Sequence, residues 1–466
     1  MKNIILILIA ILFFTSCEKW IDTDINVDPD SPEDPSIDDI LPGVEGQLAY
    51  AYGGFDVAGT TGMWLQYIRG SRRQAAIINN YTYLGSDVDN LWNTLYAGVL
   101  KDLEVIIEKS GQPDNRSPHY TGAAKLLKAF TLGTATQLWG DIPFGEALQG
   151  DENLHPAYDP QKVVYAGIQQ LLNEAIAALN EHDDSNSVSL ADGDLMYERE
   201  VTRKWLKAAG ALKMRYAVHL SWVNGEAAYD SVISYYNNPD IPVFESYNDD
   251  FQFAFGDKEN EANPLWQFDD QLGDCNESTF FKNAMSENRN DLRLDAFQNG
   301  VENEFAGDFF GSKDSPVRFI TYAEQQYILA EAYSKKAQFD EAREALKEAV
   351  RASLEKTTSD YLQDAVGREL VQLYQDDWFS RFERLLSSVD DDELYEEIMF
   401  QKYIGMFLQP EAFVDWRRSG IPEITPVVGE ELPRRFPYSA EERLYNNDNI
   451  PSDVKSIFKG NWFDPE

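Results

Sequence analysis

AEQQYILAEAYSKKAQFDEAREALKEAVRAS, residues Ala323–Ser353, holds neither proline nor glycine, and its apolar residues return every three or four positions. That period marks amphipathic α-helix. The pattern breaks once, at Lys336–Asp340, which predicts two helices meeting at a short turn. Leu329, Ala330, Tyr333, Ala342, Leu346 and Ala349 fall where a tetratricopeptide repeat needs large, small, aromatic, small, large and small packing residues. Helical periodicity recurs in Ala123–Trp139, Gln161–Asn180 and Arg203–Trp222. These stretches are unevenly spaced and separated by long segments rich in aromatics, Gly and Asn, which excludes one regular array. The expected fold is mainly α: tetratricopeptide-like helix pairs form a scaffold carrying long irregular loops and a few short strands.

The opposite end of the chain carries an address. In MKNIILILIAILFFTSC, Lys2 precedes an unbroken apolar run from Ile4 to Phe14, followed by Thr15, Ser16 and Cys17. As a helix that run spans roughly 16 Å, about half a bilayer core, so it is an export signal and not a membrane span. Phe14-Thr15-Ser16-Cys17 resembles a bacterial lipobox, with Phe in the position where Leu is commonest. Residues 1–16 are expected to be cleaved and Cys17 to carry lipid, anchoring the chain without spanning the membrane. Residues 17–43 then form a proline-rich acidic tether, and 44–466 a single domain whose repeat character is clearest at 323–353. Within the tether, Asp22, Asp24, Asn26, Asp28, Asp30 and Glu33 match calcium-loop spacing. Val27 stands where the sharp turn needs glycine, and Pro29 and Pro32 stiffen the segment, so the expectation is a linker with no bound cofactor.

Composition narrows the chemistry. Forty basic against eighty acidic residues give a net charge of −40. Such a polyanion is repelled by nucleic acid and by anionic headgroups. Two cysteines, one of them at the lipid site, leave Cys275 as an unpaired thiol, buried or half-buried, and the core must hold without disulfides. Only four histidines are present, none in a nucleophile–base motif, and there is no G-x-S-x-G, H-E-x-x-H or phosphate-binding loop. His219, on the apolar stretch AAGALKMRYAVHLSW, reads as a packed histidine. Carboxylate pairs about 5 to 9 Å apart arise by chance among eighty acids, so glycoside hydrolysis is not indicated. The chain is expected to bind rather than catalyse.

Binding a sugar needs aromatic faces for its C–H side and short polar side chains for its hydroxyls. Two segments concentrate both. In Met63–Trp92 the candidates are Trp64, Tyr67, Arg72, Asn80, Tyr81 and Tyr83; in Pro264–Asn283 they are Trp266, Phe268 and Asn276. Tyr81, Tyr83 and Trp266 are the rings expected to be exposed, whereas Trp64 and Tyr67 fit a core as well as a site, and Trp92 fits a helix core. Trp139, Asp141 and Pro143 read as a packed turn. Arg417, Arg418, Arg434 and Arg435 read as guanidinium partners for carboxylates in other segments.

Three blocks carry a family resemblance. They are YTGAAKLLKAFTLGTATQLWGDIPFGEAL (Tyr120–Leu148), the repeat pair beginning TYAEQQYILAEAY, and IMFQKYIGMFLQPEAFVDWRRSGIPEI (Ile398–Ile424) followed by LPRRFPYSAEERLYNNDN (Leu432–Asn449). In this order, behind a lipobox, they resemble the SusD/RagB family of nutrient-binding lipoproteins. The resemblance implies a SusD-like fold, an outward-facing place on a Bacteroidetes-type outer membrane, and a non-catalytic role. That role is to capture an oligosaccharide and deliver it to a SusC-like TonB-dependent transporter. Two alternatives remain open: a peptide-binding member of the family, and an adaptor that touches the transporter but no nutrient. Glu18, Asp22 and Asp24 after Cys17 resemble the acidic surface-export signals of such lipoproteins.

Overall fold

The computed structural model describes residues 34–197, 201–286, 291–298, 305–307, 309–366, 368–452 and 456–465. Cys17, the export signal and the calcium-like spacing at 22–33 lie outside them. The principal helices are α1 (Ile37–Gly53), α2 (Lys101–Gly111), α3 (Pro118–Trp139), α4 (Gln161–Leu179), α5 (Val201–Val218), α6 (Glu226–Tyr236), α7 (Pro264–Leu272), α8 (Tyr322–Lys335), α9 (Phe339–Val366), α10 (Arg368–Leu386), α11 (Leu394–Gly405) and α12 (Glu411–Ser419). Strands are short and pair in antiparallel twos: β1 (Ile68–Gly70) with β5 (Cys275–Glu277), β2 (Ile142–Pro143) with β3 (Tyr158–Asp159), and β4 (Phe251–Phe253) with β6 (Val317–Ile320). The mainly helical expectation holds. Among the described residues no helix is long and apolar enough to cross a membrane.

The repeat pair forms where its period places it. Thr321 caps α8 by accepting from the Glu324 N–H at 3.1 Å, and α8 and α9 turn back on each other through Lys336–Gln338. Leu329, Ala330, Ala342, Leu346 and Ala349 are buried between helices, where the small residues allow close approach and the large ones fill the gaps. α3 is buried on nearly every face and passes through the larger core. At Gly133 a β-carbon would lie 2.2 Å from the Tyr216 hydroxyl on α5, so the crossing of α3 and α5 requires glycine there.

The start of the domain differs from the linker reading. α1 begins at Ile37 and contains Pro42. The prolines and carboxylates there conceal an amphipathic helix whose Leu41, Val44, Leu48 and Tyr52 enter the core. Helices also run through much of both aromatic segments, including Arg73–Asn79 and α7, where irregular loops were expected.

Charge is buried as well as apolar surface. Arg418 on α12 clamps Glu331 of α8 with both terminal nitrogens (2.8 and 3.0 Å) and meets Asp415 at 2.6 Å, while Lys402 of α11 donates to the same Asp415 oxygen at 2.7 Å. Arg215 of α5 holds Glu324 of α8 through two bonds of 2.5 Å and reaches the Phe319 carbonyl at 2.6 Å. His219 packs between the Tyr165 hydroxyl (2.9 Å) and Glu411. Arg417 spans segments too, donating to the carbonyls of Gln137 and Arg434 and lying 3.7 Å from Asp464. The arginines of the DWRRSG block are therefore internal ties, as their pairing chemistry predicts. Lys213 is the contrast: its ammonium is buried against two amide oxygens, Gln169 at 3.1 Å and Asn173 at 2.7 Å, and the Tyr235 ring. With no carboxylate in that set, burial pushes its pKa down to about 8.

Two outcomes follow from these buried charges. Arg418→Ala leaves Glu331 and Asp415 without their guanidinium and is expected to cost roughly 3–5 kcal/mol, read from the urea midpoint; a loss under about 1 kcal/mol would place the pair with weak surface bridges. Lys213→Met addresses pH. The unfolded chain keeps the lysine proton up to its ordinary value of 10.5 and the folded chain only to about 8. Stability of the parent relative to the variant should therefore rise with pH between those values, at most about 1.4 kcal/mol per unit. A difference that stays flat across that window contradicts the depressed lysine.

Candidate functional site

The two aromatic segments singled out above meet in space. β1 from the first pairs with β5 from the second, setting Ile68 opposite Glu277, Arg69 opposite Asn276 and Gly70 opposite Cys275. Beside this ladder Arg73 binds Asp274 through Nε at 2.9 Å and Nη2 at 2.7 Å. The Asp274 carboxylate is fully buried, so the tie is partly shielded from solvent.

Next to that junction lies an open cleft of 730 Å³, within the range of small-molecule sites. Its walls are helix faces. From α1 come Gln47 and Tyr50, a helical turn apart on the side away from the core residues, with Gly54 following just past its C-terminal end. From α7 come Pro264, Gln267, Phe268 and Gln271, again at i, i+3, i+4 and i+7. Asn263 sets the start of α7 by accepting from the N–H groups of Leu265 (2.9 Å) and Trp266 (3.2 Å), with Pro264 at the first helical position. Gln74, Asn90, Thr94 and Asp56 complete the polar lining.

The lining has a distinct chemistry. Tyr50 is 53% exposed, and the half-buried Phe268 is backed by Phe55, their rings stacked at 3.6 Å and 13°. Gln47, Gln74, Asn90, Gln267 and Gln271 carry uncharged amides; Gln267 Nε2 donates to the carbonyls of Glu259 (3.0 Å) and Ala262 (2.9 Å), leaving its oxygen as the acceptor it can offer. Asp56 is the acidic member, and burial raises its pKa. Aromatic surface with neutral two-way hydrogen bonding suits a ligand that has both C–H faces and hydroxyls. Among the described residues no group of three or more His, Cys, Asp or Glu could hold a metal ion.

Of the expected ligand residues, Phe268 lines this cleft. The expectation of exposed rings at Tyr81 and Tyr83 is overturned: both are buried, Tyr81 accepting from the Val427 N–H at 2.9 Å and Tyr83 packing edge-on against Trp64 and Phe436. Trp64 and Tyr67 resolve to core. Trp64 donates to the Ile78 carbonyl, and Tyr67 stacks on Tyr403 at 4.6 Å while bonding its carbonyl at 2.6 Å. Trp266 keeps a half-buried ring, but the Lys313 ammonium sits 4.6 Å from its centroid. Arg72 and Asn80 are exposed at the two ends of the Arg73–Asn79 helix, and Asn276 is half-buried on β5; none lines the cleft. Sequence reasoning missed Gln47, Tyr50, Gln267 and Gln271. The signal for the last two was present, because Pro264, Gln267, Phe268 and Gln271 fall on one helical stripe once the segment is read as helix.

Comparison with known proteins agrees with this architecture. The chain matches the model of the SusD-like family, described as "Starch-binding associating with outer membrane", over residues 58–314 and 305–439. No curated protein matches the sequence. Similar solved structures include a SusD/RagB family protein from Bacteroides thetaiotaomicron, with TM-score 0.78, 22% identity, and coverage of 92% of this chain and 99% of that one. A SusD homolog from Bacteroides fragilis gives TM-score 0.74, 22% identity and 92% and 99% coverage. A chitin-binding SusD homolog from Flavobacterium johnsoniae gives 0.72, 18%, and 92% and 98%.

Proposed function

Because the chain belongs to the SusD-like family of binding proteins that associate with the outer membrane, we propose that it captures an oligosaccharide in the 730 Å³ cleft between α1 and α7 and does no chemistry on it. The observation that carries this reading is the convergence there of Tyr50, the Phe55-backed Phe268 and five side-chain amides. Rings supply apolar contact and amides bridge hydroxyls, and a lining in which five amides accompany the one carboxylate of Asp56 favours a neutral glycan. The chitin-binding homolog and the starch-binding family description support a polysaccharide fragment as the ligand class. Capture of this kind serves import: the lipidated Cys17 tethers the chain to the outer face of the outer membrane, and the glycan passes to a SusC-like TonB-dependent transporter. The proline-rich acidic residues after Cys17 link the anchor to the binding domain.

Two measurements test the reading. Titration of the full chain in detergent with maltohexaose and with chitohexaose should give micromolar to millimolar binding of at least one, reduced about tenfold by Tyr50→Ala or Phe268→Ala, the size expected from losing one stacked ring. No binding by a folded chain overturns the glycan assignment. Separately, Cys17→Ala should leave that affinity unchanged while the protein leaves the membrane fraction and uptake falls; a variant still firmly membrane-bound refutes the anchor.

A further inference from the structure

A second cleft, of 460 Å³, shares no lining residue with the first. Leu91 borders the first cleft and Gly140 the second, and their chain neighbours Trp92 and Trp139 pack against each other with centroids 5.0 Å apart. The second cleft draws on Gly140, Asp141, Arg435, Lys459, Asn461 and Trp462.

Asn461 gives it a built polar floor. Its side chain is 7% exposed, and its Nδ2 donates to the Gln137 carbonyl at 2.9 Å, which fixes the amide and directs Oδ1 the other way. That Oδ1 is buried and accepts no hydrogen bond. A β-carbon on Gly140 would stand 2.9 Å from this oxygen and 3.5 Å from both terminal nitrogens of Arg435. With φ of +84°, Gly140 keeps the space between acceptor and guanidinium open. A buried acceptor without a donor is costly, and a ligand donor would recover that cost. At the mouth Trp462 is 38% exposed, a large ring face beside polar groups.

We propose that this cleft is a second saccharide site, taking one neutral sugar unit stacked on Trp462 with a hydroxyl donated to Asn461 Oδ1. The charges select that class. Both signs line it, Arg435 and Lys459 with Asp141 and Asp464, so an ion of either sign meets its own charge there. An anion would meet the carbonyl oxygen of Asn461, and a cation the guanidinium of Arg435. A polyol has the donor, the acceptors and the apolar face together. Two sites on one chain let a single polysaccharide engage both, raising its apparent affinity above that of either alone. The inference rests on the glycan reading for its ligand class; the geometry is independent of the first cleft.

Isothermal titration of the full chain with maltohexaose and chitohexaose, repeated on Trp462→Ala, Phe268→Ala and the double variant, decides it. Expected is about a tenfold loss for Trp462→Ala with unchanged thermal unfolding, and further loss in the double variant. Lys459→Ala, exposed at the rim, repeats the test should the tryptophan variant unfold, and should also weaken binding. Binding by the rim and tryptophan variants equal to that of the unaltered chain, with loss only in Phe268→Ala, overturns the second site and leaves the first standing. No binding of either hexasaccharide to the unaltered chain overturns both.

Discussion

The buried contact between Arg418 and Glu331 is the constraint on which the arrangement of helices turns. Glu331 sits on the hidden side of α8, and its two oxygens are both taken by one planar guanidinium from α12. Apolar packing alone tolerates sliding by a turn; a fork-to-fork pair does not. Asp415 and Lys402 extend the contact to α11, while Arg215 and Glu324 carry it two helical turns back to α5. Desolvation opposes every one of these charges, so the cluster fixes geometry more than it adds stability. That fixed geometry is what allows irregular segments elsewhere to hold shape.

The binding surface is a by-product of the same rigidity. Its polar groups stand on helices, whose side-chain directions follow from backbone geometry, and not on free loops. α1 presents one face to the core and the other, bearing Gln47 and Tyr50, to the cleft. Phe268 is held by Phe55 before any ligand arrives, which lowers the ordering cost of association.

Much of the scaffold was legible in the sequence because periodicity is a local property. Leu329, Ala342 and Leu346 announce their burial within a few residues of themselves, and the helices over 123–139 and 161–180 do the same. The aromatic segments resisted for the opposite reason. Trp64 is buried by Phe413 and Phe436, and Tyr67 by Tyr403 and Phe407, partners more than three hundred positions away. Richness in rings looks alike whether those rings face a sugar or one another. The two segments nevertheless meet, through β1 and β5, and Phe268 alone of the named residues lines the cleft. Gln47 and Tyr50 lie inside the expected domain but outside both aromatic-rich segments, so nothing in their own neighbourhood marked them.

Cys275, on the strand that joins those segments, gives the folded chain an unusual property. It lies opposite Gly70 with 1% of its surface exposed, and burial beside Asp269 and Asp274 raises its thiol pKa. Reagents that attack thiolates meet neither access nor ionisation there. A cysteine introduced at Tyr50 or Trp462 in a Cys17→Ala background would be the single reactive sulfur of the native molecule, so a dye or spin label could report on either cleft without removing the cysteine already in the core.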